Sequence, residues 1–503
     1  MSDTKNPVEI ADHPAVAKIR EEHFANPAIK SPFTVMVVGD IIQTNPISRR
    51  VDPDVRTVLD PFKNCDVAVG NMESNFGDMR NQASRIGGLQ GCKEVAADVK
   101  DIGINMVARS SNHSSDQGVD EMLKGNTYLQ EAGVVYAGSG INLEDARAPQ
   151  FLETPKGRIG LVAMTASFRG RSDYQSSRNS EAGMEMAAYQ SGNKNGVPGI
   201  NFLRVTPSVV LPPELWEGIL KIKAYENEYA KKMFAQFAEH ATSDGSEAAL
   251  VMEQLYGKVG DPSTRQMIYT QMFEVGDQPC GLNYIVNEDD LRLNLRSIRN
   301  GKEWSDFMIA TIHSHDNNNT LRHLDFLQET PSQFLVDLAH ASIDNGADLF
   351  FATGPHLLRG IEIYKGKPIF YSLASFIYQL WGTPVGSDGY VDRHLDQFYG
   401  KTTETELNMD RWPPHSVTKH KDLKNMESME SITTRLNYDG GKLKEIIIQP
   451  IEFGYDAPMS QHGIPRKPKP HVAERILKRI QRMSVPFGTK VEIQGEIGVI
   501  KMQ

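Results

Sequence analysis

Five short apolar runs in this 503-residue chain each lead, within a few residues, to side chains that can hold a metal ion or move a proton. They lead to Asp40; to Asn71 and Glu73; to Asn112, His113 and Asp116; to His313, His315 and Asp316; and to His356. Carboxylate, amide and imidazole donors together suit borderline-to-hard divalent ions such as Mn²⁺, Fe²⁺ or Zn²⁺. A carboxylate can bridge two such ions. Two ions close together polarise an ester or amide and lower the pKa of a bound water. An imidazole that titrates near neutrality can protonate a leaving group. Each piece also has an ordinary reading. Asn-His is commonly a capped turn, Gly-Asp a turn, and two histidines one residue apart a coincidence on a strand. Their recurrence at the same end of successive strands favours a metal-dependent site over a plain α/β binding protein.

The elements that must position these residues follow from the apolar periodicity. Buried-strand patterns are expected over 34–38, 66–69, 104–108, 134–137, 158–164, 306–312, 349–351, 368–373 and 445–451. Helical spacing runs between several of them. One helix follows Gly118 through Val119, Met122, Leu123, Leu129 and Ala132 and stops at Gly133. Another is expected with Thr330 as N-cap, Pro331 at the first position, Phe334, Leu335, Leu338, Ala339 and Ile343 on its apolar side, and Gly346 as its stop. A basic helical segment over 475–482 and a strand pair near Val491 and Val499 close the chain. Strands alternating with helices make the class α/β. The chain divides into an N-terminal helical arm (1–30), the first half of an α/β domain (31–166), a helical insertion that shapes a pocket (167–302), and the second half (303–503). The insertion has a plainer alternative as a packed satellite layer of helices. The stretch 383–431 reads as loop.

Composition narrows the partners. Hydrophobic residues make up 39% and charged residues 23%, as in a soluble globular protein. A net charge of −10 argues against nucleic acid and anionic membranes. Cys65, Cys92 and Cys280 form no C-x-x-C pair, so no disulfide framework or thiolate zinc site is indicated. The N-terminus is polar, and no run is long enough to span a bilayer; a cytoplasmic location is expected. Arg169 and Arg171 sit in a polar loop after 158–164, and Arg359 follows His356 by three residues. Guanidinium groups there suit the carboxylate or phosphate of a small anionic substrate; surface arginines are the plain alternative. Oligomeric state leaves no mark in the sequence.

Several of these residues also stand in the order of a known family. Gly39-Asp40, Asn71-x-Glu73, Asn112-His113-x-x-Asp116, His313, Gly354-Pro355-His356, Arg359-Gly360-Ile361-Glu362 and Pro368-Ile369-Phe370-Tyr371-Ser372-Leu373 together resemble the CapA-type capsule or poly-γ-glutamate synthesis proteins of the calcineurin-like metallophosphatase superfamily. The match covers roughly 31–165 and 303–500 and leaves out the insertion. The resemblance implies a four-layer sandwich, two mixed β-sheets flanked by helices, with one or two divalent ions (Mn, Zn or Fe) at the strand ends. It implies ligation by Asp40, Glu73, Asn112, His313 and His356, with His113 as acid or base. Members act on phosphoesters or on peptide-like substrates, a peptide epimerase among them, so the fold does not fix the reaction.

The chain departs from the family pattern at three places. The superfamily's frequent Asp-x-His is Asp40-Ile41-Ile42 here. A Gly-x-His-Pro-His type segment is Ala352-Thr353-Gly354-Pro355-His356, one histidine fewer. The usual Leu-Gly-Asn-Phe is Leu373-Ala374-Ser375-Phe376. One metal position is thus short of a ligand, with His315 and Asp316 as candidates to make it up and Asn71 as a further donor. The expected activity is metal-dependent hydrolysis of an amide, ester or phosphoester bond, with His113 and Asp116 as the proton-transfer residues. The rivals are a metal-assisted epimerase or lyase on the same residues, and a non-catalytic binding protein in polymer or capsule assembly.

Overall fold

The computed structural model describes residues 28–77, 89–167, 186–190, 195–237, 261–268, 271–276, 281–316, 329–379, 427–454, 457 and 461–502. Two large mixed sheets dominate them. In the first, Phe33–Ile42 is central. It runs parallel to Val67–Asn71 on one side and antiparallel to Glu430–Asp439 on the other, and Ser375–Tyr378 pairs parallel with its end. Met106–Ala108 and Val135–Ala137 continue the parallel half. In the second sheet, Gly157–Ser167, Phe307–His313 and Leu349–Thr353 lie side by side and parallel.

Period-two alternation makes the layers. In the first central strand, Val35 and Val37 point one way and Met36 and Val38 the other. The first pair joins a core with Ile309, Phe351 and Leu161 of the second sheet, so the two sheets pack face to face. The second pair packs under Val55, Val58, Val95 and Val99 of the helices Pro53–Leu59 and Val95–Ile102. Across the second sheet, Met308, Ala310 and Phe350 pack under Ile298, Leu335 and Leu338 of Glu288–Glu303 and Gln333–Asp344. The result is helix, sheet, sheet, helix, the metallophosphatase-like sandwich that the resemblance implied.

Two expectations are corrected. The stretch 167–302 is only partly helical. It holds the helices Pro213–Phe237 and Glu288–Glu303, but Phe202–Leu211, Gln271–Val275, Arg265–Ile268 and Gly281–Val286 are strands that widen the second sheet. Val205, Thr206, Val209 and Val210 are β-branched, and Phe202–Leu211 joins Gly157–Ser167 in parallel, so the insertion grows out of the sheet rather than sitting over it. The helix expected to start at Pro331 starts at Gln333, with Ser332 as N-cap, because the Ser332 N–H is held by the Asp316 carboxylate at 2.8 Å. Residues 1–27 of the expected arm, the apolar segment around 248–256, and 383–426 lie outside the described residues. Among the described residues no helix is long and apolar enough to cross a membrane.

One close backbone approach, between Gly39 and Ala374, shapes the end of Phe33–Ile42. A Cβ on Gly39 would sit 1.8 Å from the Ala374 carbonyl oxygen, so only glycine allows the two segments to meet. Ala374 itself has φ +53, a left-handed conformation that glycine adopts without penalty and alanine does not. We expect Ala374→Gly to raise the free energy of unfolding by about 1 kcal/mol. The urea midpoint measures this; an unchanged or lower midpoint would count against strain at this position.

Candidate metal centre

The strands of both sheets deliver their chemistry-bearing residues to one seam. Asp40 lies near the end of Phe33–Ile42, Asn71 ends Val67–Asn71, and His313 ends Phe307–His313. Asn112 and His113 follow Met106–Ala108, and His356 follows Leu349–Thr353.

Asp40 is fully buried and fully engaged. Asn71 Nδ2 donates to its Oδ1 at 2.8 Å, and the Gly354 N–H donates to its Oδ2 at 3.2 Å. His356 Nδ1 is 3.2 Å from Oδ2 and His313 Nδ1 is 3.4 Å from Oδ1. Burial alone would raise its pKa. The hydrogen bonds and charge of His313 and His356 outweigh burial and hold the carboxyl well below the usual range.

Glu73 is the opposite case. It is as deeply buried, yet neither carboxylate oxygen has a hydrogen-bond partner among the described residues. His313 Nε2 and His356 Nε2 each lie 3.8 Å from Oε1, beyond hydrogen-bond reach. Burial, and then the negative charges of Asp40 and Asp116, push its pKa well above the ordinary carboxylate range.

Three imidazoles face these acids. His313 Nε2 and His315 Nε2 are 3.2 Å apart, and Asn112 Oδ1 is 2.8 Å from His313 Nε2. Thr353 Oγ1 lies 3.0 Å from His313 Nδ1, and Ser375 Oγ lies 3.3 Å from His356 Nδ1. Burial lowers the pKa of His313. It lowers that of His315 much further, with the like charges of His313 and His356 adding to it. Neutral imidazole is the form that binds metal.

The ligand atoms form two overlapping sets, Asp40–Glu73–His313 and Glu73–His315–His356, and within each set they lie within 4.8 Å of one another. Glu73 is common to both, and its two orphaned oxygens match a carboxylate that bridges two cations. A buried carboxylate without donors is costly, and a divalent cation supplies the missing partner. The residues present therefore fit the divalent ions that the sequence implied.

Around this cluster the other expected residues take distinct places. Asp116 Oδ2 accepts from the Leu89 N–H at 2.8 Å and lies 2.7 Å from His113 Nδ1, so it fixes the ring of a partly exposed histidine. Asn71 bridges Asp40 and His313 through Nδ2, 3.1 Å from His313 Nδ1, while its Oδ1 is buried with no hydrogen-bond partner among the described residues. His315 joins the cluster; Asp316 does not. Asp316 accepts from Arg359 Nη1 at 2.9 Å, from Ser314 Oγ at 3.1 Å and from the Ser332 N–H, and Arg359 Nη2 donates to its carbonyl oxygen. Both side chains of this ion pair are fully buried, so Arg359 holds the turn after His313 in place where a substrate contact was expected. Arg169 and Arg171 lie outside the described residues. Sequence reasoning missed Thr353, Ser375 and Tyr378, whose ring centroid is 5.5 Å from that of His356. Ser375 stands at a position already noted as a departure and Thr353 lies next to one, which was the available signal.

The sandwich and its buried carboxylate–imidazole seam define a metallophosphatase-like protein. Comparison narrows the class. The family described as "Bacterial capsule synthesis protein PGA_cap" matches residues 34–380, and this chain belongs to it. Two proteins of Sinorhizobium fredii (strain NBRC 101917 / NGR234), y4sH and y4uA, both named only as uncharacterized, are each 32% identical to it over 482 residues, covering 93% of this chain and 93% of theirs. The PGA biosynthesis protein CapA of Bacillus subtilis (strain 168) is 31% identical over 118 residues, 22% of this chain and 31% of that protein. The capsule biosynthesis protein CapA of Bacillus anthracis is 26% identical over 178 residues, 33% of this chain and 40% of that protein.

Glu73→Gln replaces the orphaned acid by a neutral group of the same shape. We expect the metal-free variant to be as stable as the parent or more so, by up to about 1 kcal/mol. Added Mn²⁺ should raise the melting temperature of the parent and leave that of the variant unmoved. Equal responses of the two proteins to Mn²⁺ contradict ligation by Glu73.

Proposed function

We propose that this protein is a metal-dependent hydrolase that cleaves an amide, ester or phosphoester bond in a small anionic substrate, or at an end of an anionic polymer. The observation that carries the reading is the fully buried Glu73 carboxylate, unpartnered among the described residues and shared by two sets of converging donor atoms. Asp40, Glu73 and His313 would hold one cation, and Glu73, His315 and His356 a second, with Asn112 Oδ1 against His313 Nε2. When bound, the cations would polarise the scissile group and lower the pKa of a water. His113, oriented through Nδ1 by Asp116, donates a proton to the leaving atom. Asn71 and Thr353 fix the ring of His313. The Arg359–Asp316 pair fixes the turn that carries His315. The names of the two Bacillus relatives support a role in capsule biosynthesis, and the proposed location is cytoplasmic.

The His113–Asp116 pair beside the cluster also supports a second reading, proton transfer at a carbon acid by an epimerase or lyase. Solvent deuterium entering a substrate carbon without net cleavage would select it. Stoichiometric binding of polymer with no turnover under any metal would select the non-catalytic alternative.

Two measurements test the main proposal. Protein purified without chelator should carry about two equivalents of divalent metal by mass spectrometry, falling to about one or less in Asp40→Ala and in His356→Ala. A panel of chromogenic phosphoesters, carboxylic esters and glutamyl amides should reveal turnover that drops about 10²–10⁴-fold in His113→Ala, with its metal content unchanged. Undiminished turnover in His113→Ala would remove it from the mechanism. No metal, even after soaking in Mn²⁺ or Zn²⁺, would sink the metalloenzyme reading.

A further inference from the structure

Arg109 is a fully buried guanidinium that no carboxylate among the described residues neutralises. Its charge is met by oxygens of neutral groups. Nη1 donates to the Ser74 carbonyl at 3.1 Å and to the Met72 carbonyl at 3.4 Å, the residues on either side of Glu73. Nη2 donates to Asn75 Oδ1 at 2.8 Å, and Nε to Asn126 Oδ1 at 3.4 Å. The guanidinium carbon also lies 5.3 Å from the centroid of the Phe76 ring. Burial pulls the pKa down to about 10, which leaves the group cationic at neutral pH. Asn75 extends the contact, because its Nδ2 donates to the His113 carbonyl at 3.0 Å.

One side chain therefore grips both backbone neighbours of Glu73 and, through Asn75, the turn that carries Asn112 and His113. Glu73 cannot hold itself, since its carboxylate has no donor among the described residues. Its backbone is tied to the sheet by long bonds, the Glu73 and Ser74 N–H groups reaching the Ile41 carbonyl at 3.3 and 3.4 Å. The Met72 N–H on the Ala108 carbonyl at 2.9 Å and the Ser74 hydroxyl on the Gln43 backbone also hold residues 72–75, and Arg109 is the charged side chain that grips both neighbours of Glu73. A planar fork with five donors suits this task; an ammonium cannot reach three divergent acceptors at once.

We infer that Arg109 is a positioning residue that sets Glu73 and the Asn112–His113 turn in register for metal binding. The inference rests on the proposed metal centre and concerns a residue that touches neither metal nor substrate.

The test is isothermal titration of Mn²⁺ into the full chain. Arg109→Met should weaken Mn²⁺ binding about 10–100-fold, the size expected when an outer-shell partner is lost. Arg109→Lys should recover part of that loss, which a residue acting only by filling space would not do. Asn75 supplies the control if Arg109→Met does not fold. Asn75→Asp keeps the acceptor for Nη2 but loses the donor to the His113 carbonyl, so it should weaken Mn²⁺ binding less than Asn75→Ala, which should lose about tenfold. A parent that binds Mn²⁺, beside a folded Arg109→Met or Asn75→Ala that binds it equally well, overturns the positioning role and leaves the metal reading standing. A parent that binds neither Mn²⁺ nor Zn²⁺ overturns both.

Discussion

The rest of the seam depends on one uncompensated group. Two carboxylates, Asp40 and Glu73, are buried between the sheets where water cannot solvate them. Asp40 is built into the protein by an amide, a backbone N–H and two imidazoles. Glu73 has no hydrogen-bond partner at its carboxylate among the described residues. Its own burial and the charge of Asp40 both disfavour its ionised form. A chain that keeps such a group keeps it at a cost to its own folding, and sites that bind cations are where that cost has a use.

The geometry that enforces this arrangement is cross-sheet. Asp40 belongs to the first sheet, yet it accepts from Gly354 in a loop of the second. Gly354 has φ +122, and a Cβ there would lie 2.5 Å from the Ser314 carbonyl oxygen, so the two loops of the second sheet press together at this point. His356 follows with φ +52, an unfavourable conformation for a residue with a side chain. The strain is local to the turn that aims His356 at Asp40 and Glu73. Close-packed sheets on both sides leave the loops little room to relax it.

The sequence was a good guide to the layers and to the side chains that converge at the seam, and a poor guide to the supports. Apolar runs such as 34–38 and 306–312 are buried on both faces, and that continuity located Phe307–His313 within one residue and the start of Phe33–Ile42 likewise, although that strand runs on four residues past 38. Residues whose side chains are chemically distinctive, Asp40, Glu73, His313 and His356, were identifiable because each follows such a run. Periodicity misled at 202–211, where β-branched residues lie in a stretch otherwise dominated by helical spacing, and the strand exists because a neighbour in the sheet pairs with it. Arg359 shows the same limit at the site. Its position three residues after His356 suggested a role toward substrate, but a buried guanidinium is settled by whichever carboxylate the fold brings to it, and that was Asp316. Arg109 gave no signal at all, because its partners are backbone carbonyls and amides far away in sequence.

The departures from the family pattern become coherent once the strands are paired. The missing histidine of the 352–356 segment falls at Gly354, one residue past Thr353, which pairs with His313 on the adjacent parallel strand. Thr353 keeps a polar contact there, its hydroxyl 3.0 Å from His313 Nδ1. Residues two apart in extended chain point the same way, so His315 projects toward the cluster that His313 enters. Its Nε2 does so, 3.2 Å from that of His313. The seam still gathers three imidazoles, with one drawn from the neighbouring strand. A histidine at 315 thus stands beside the segment that is one histidine short of the family pattern, and the seam keeps carboxylate, amide and imidazole donors together.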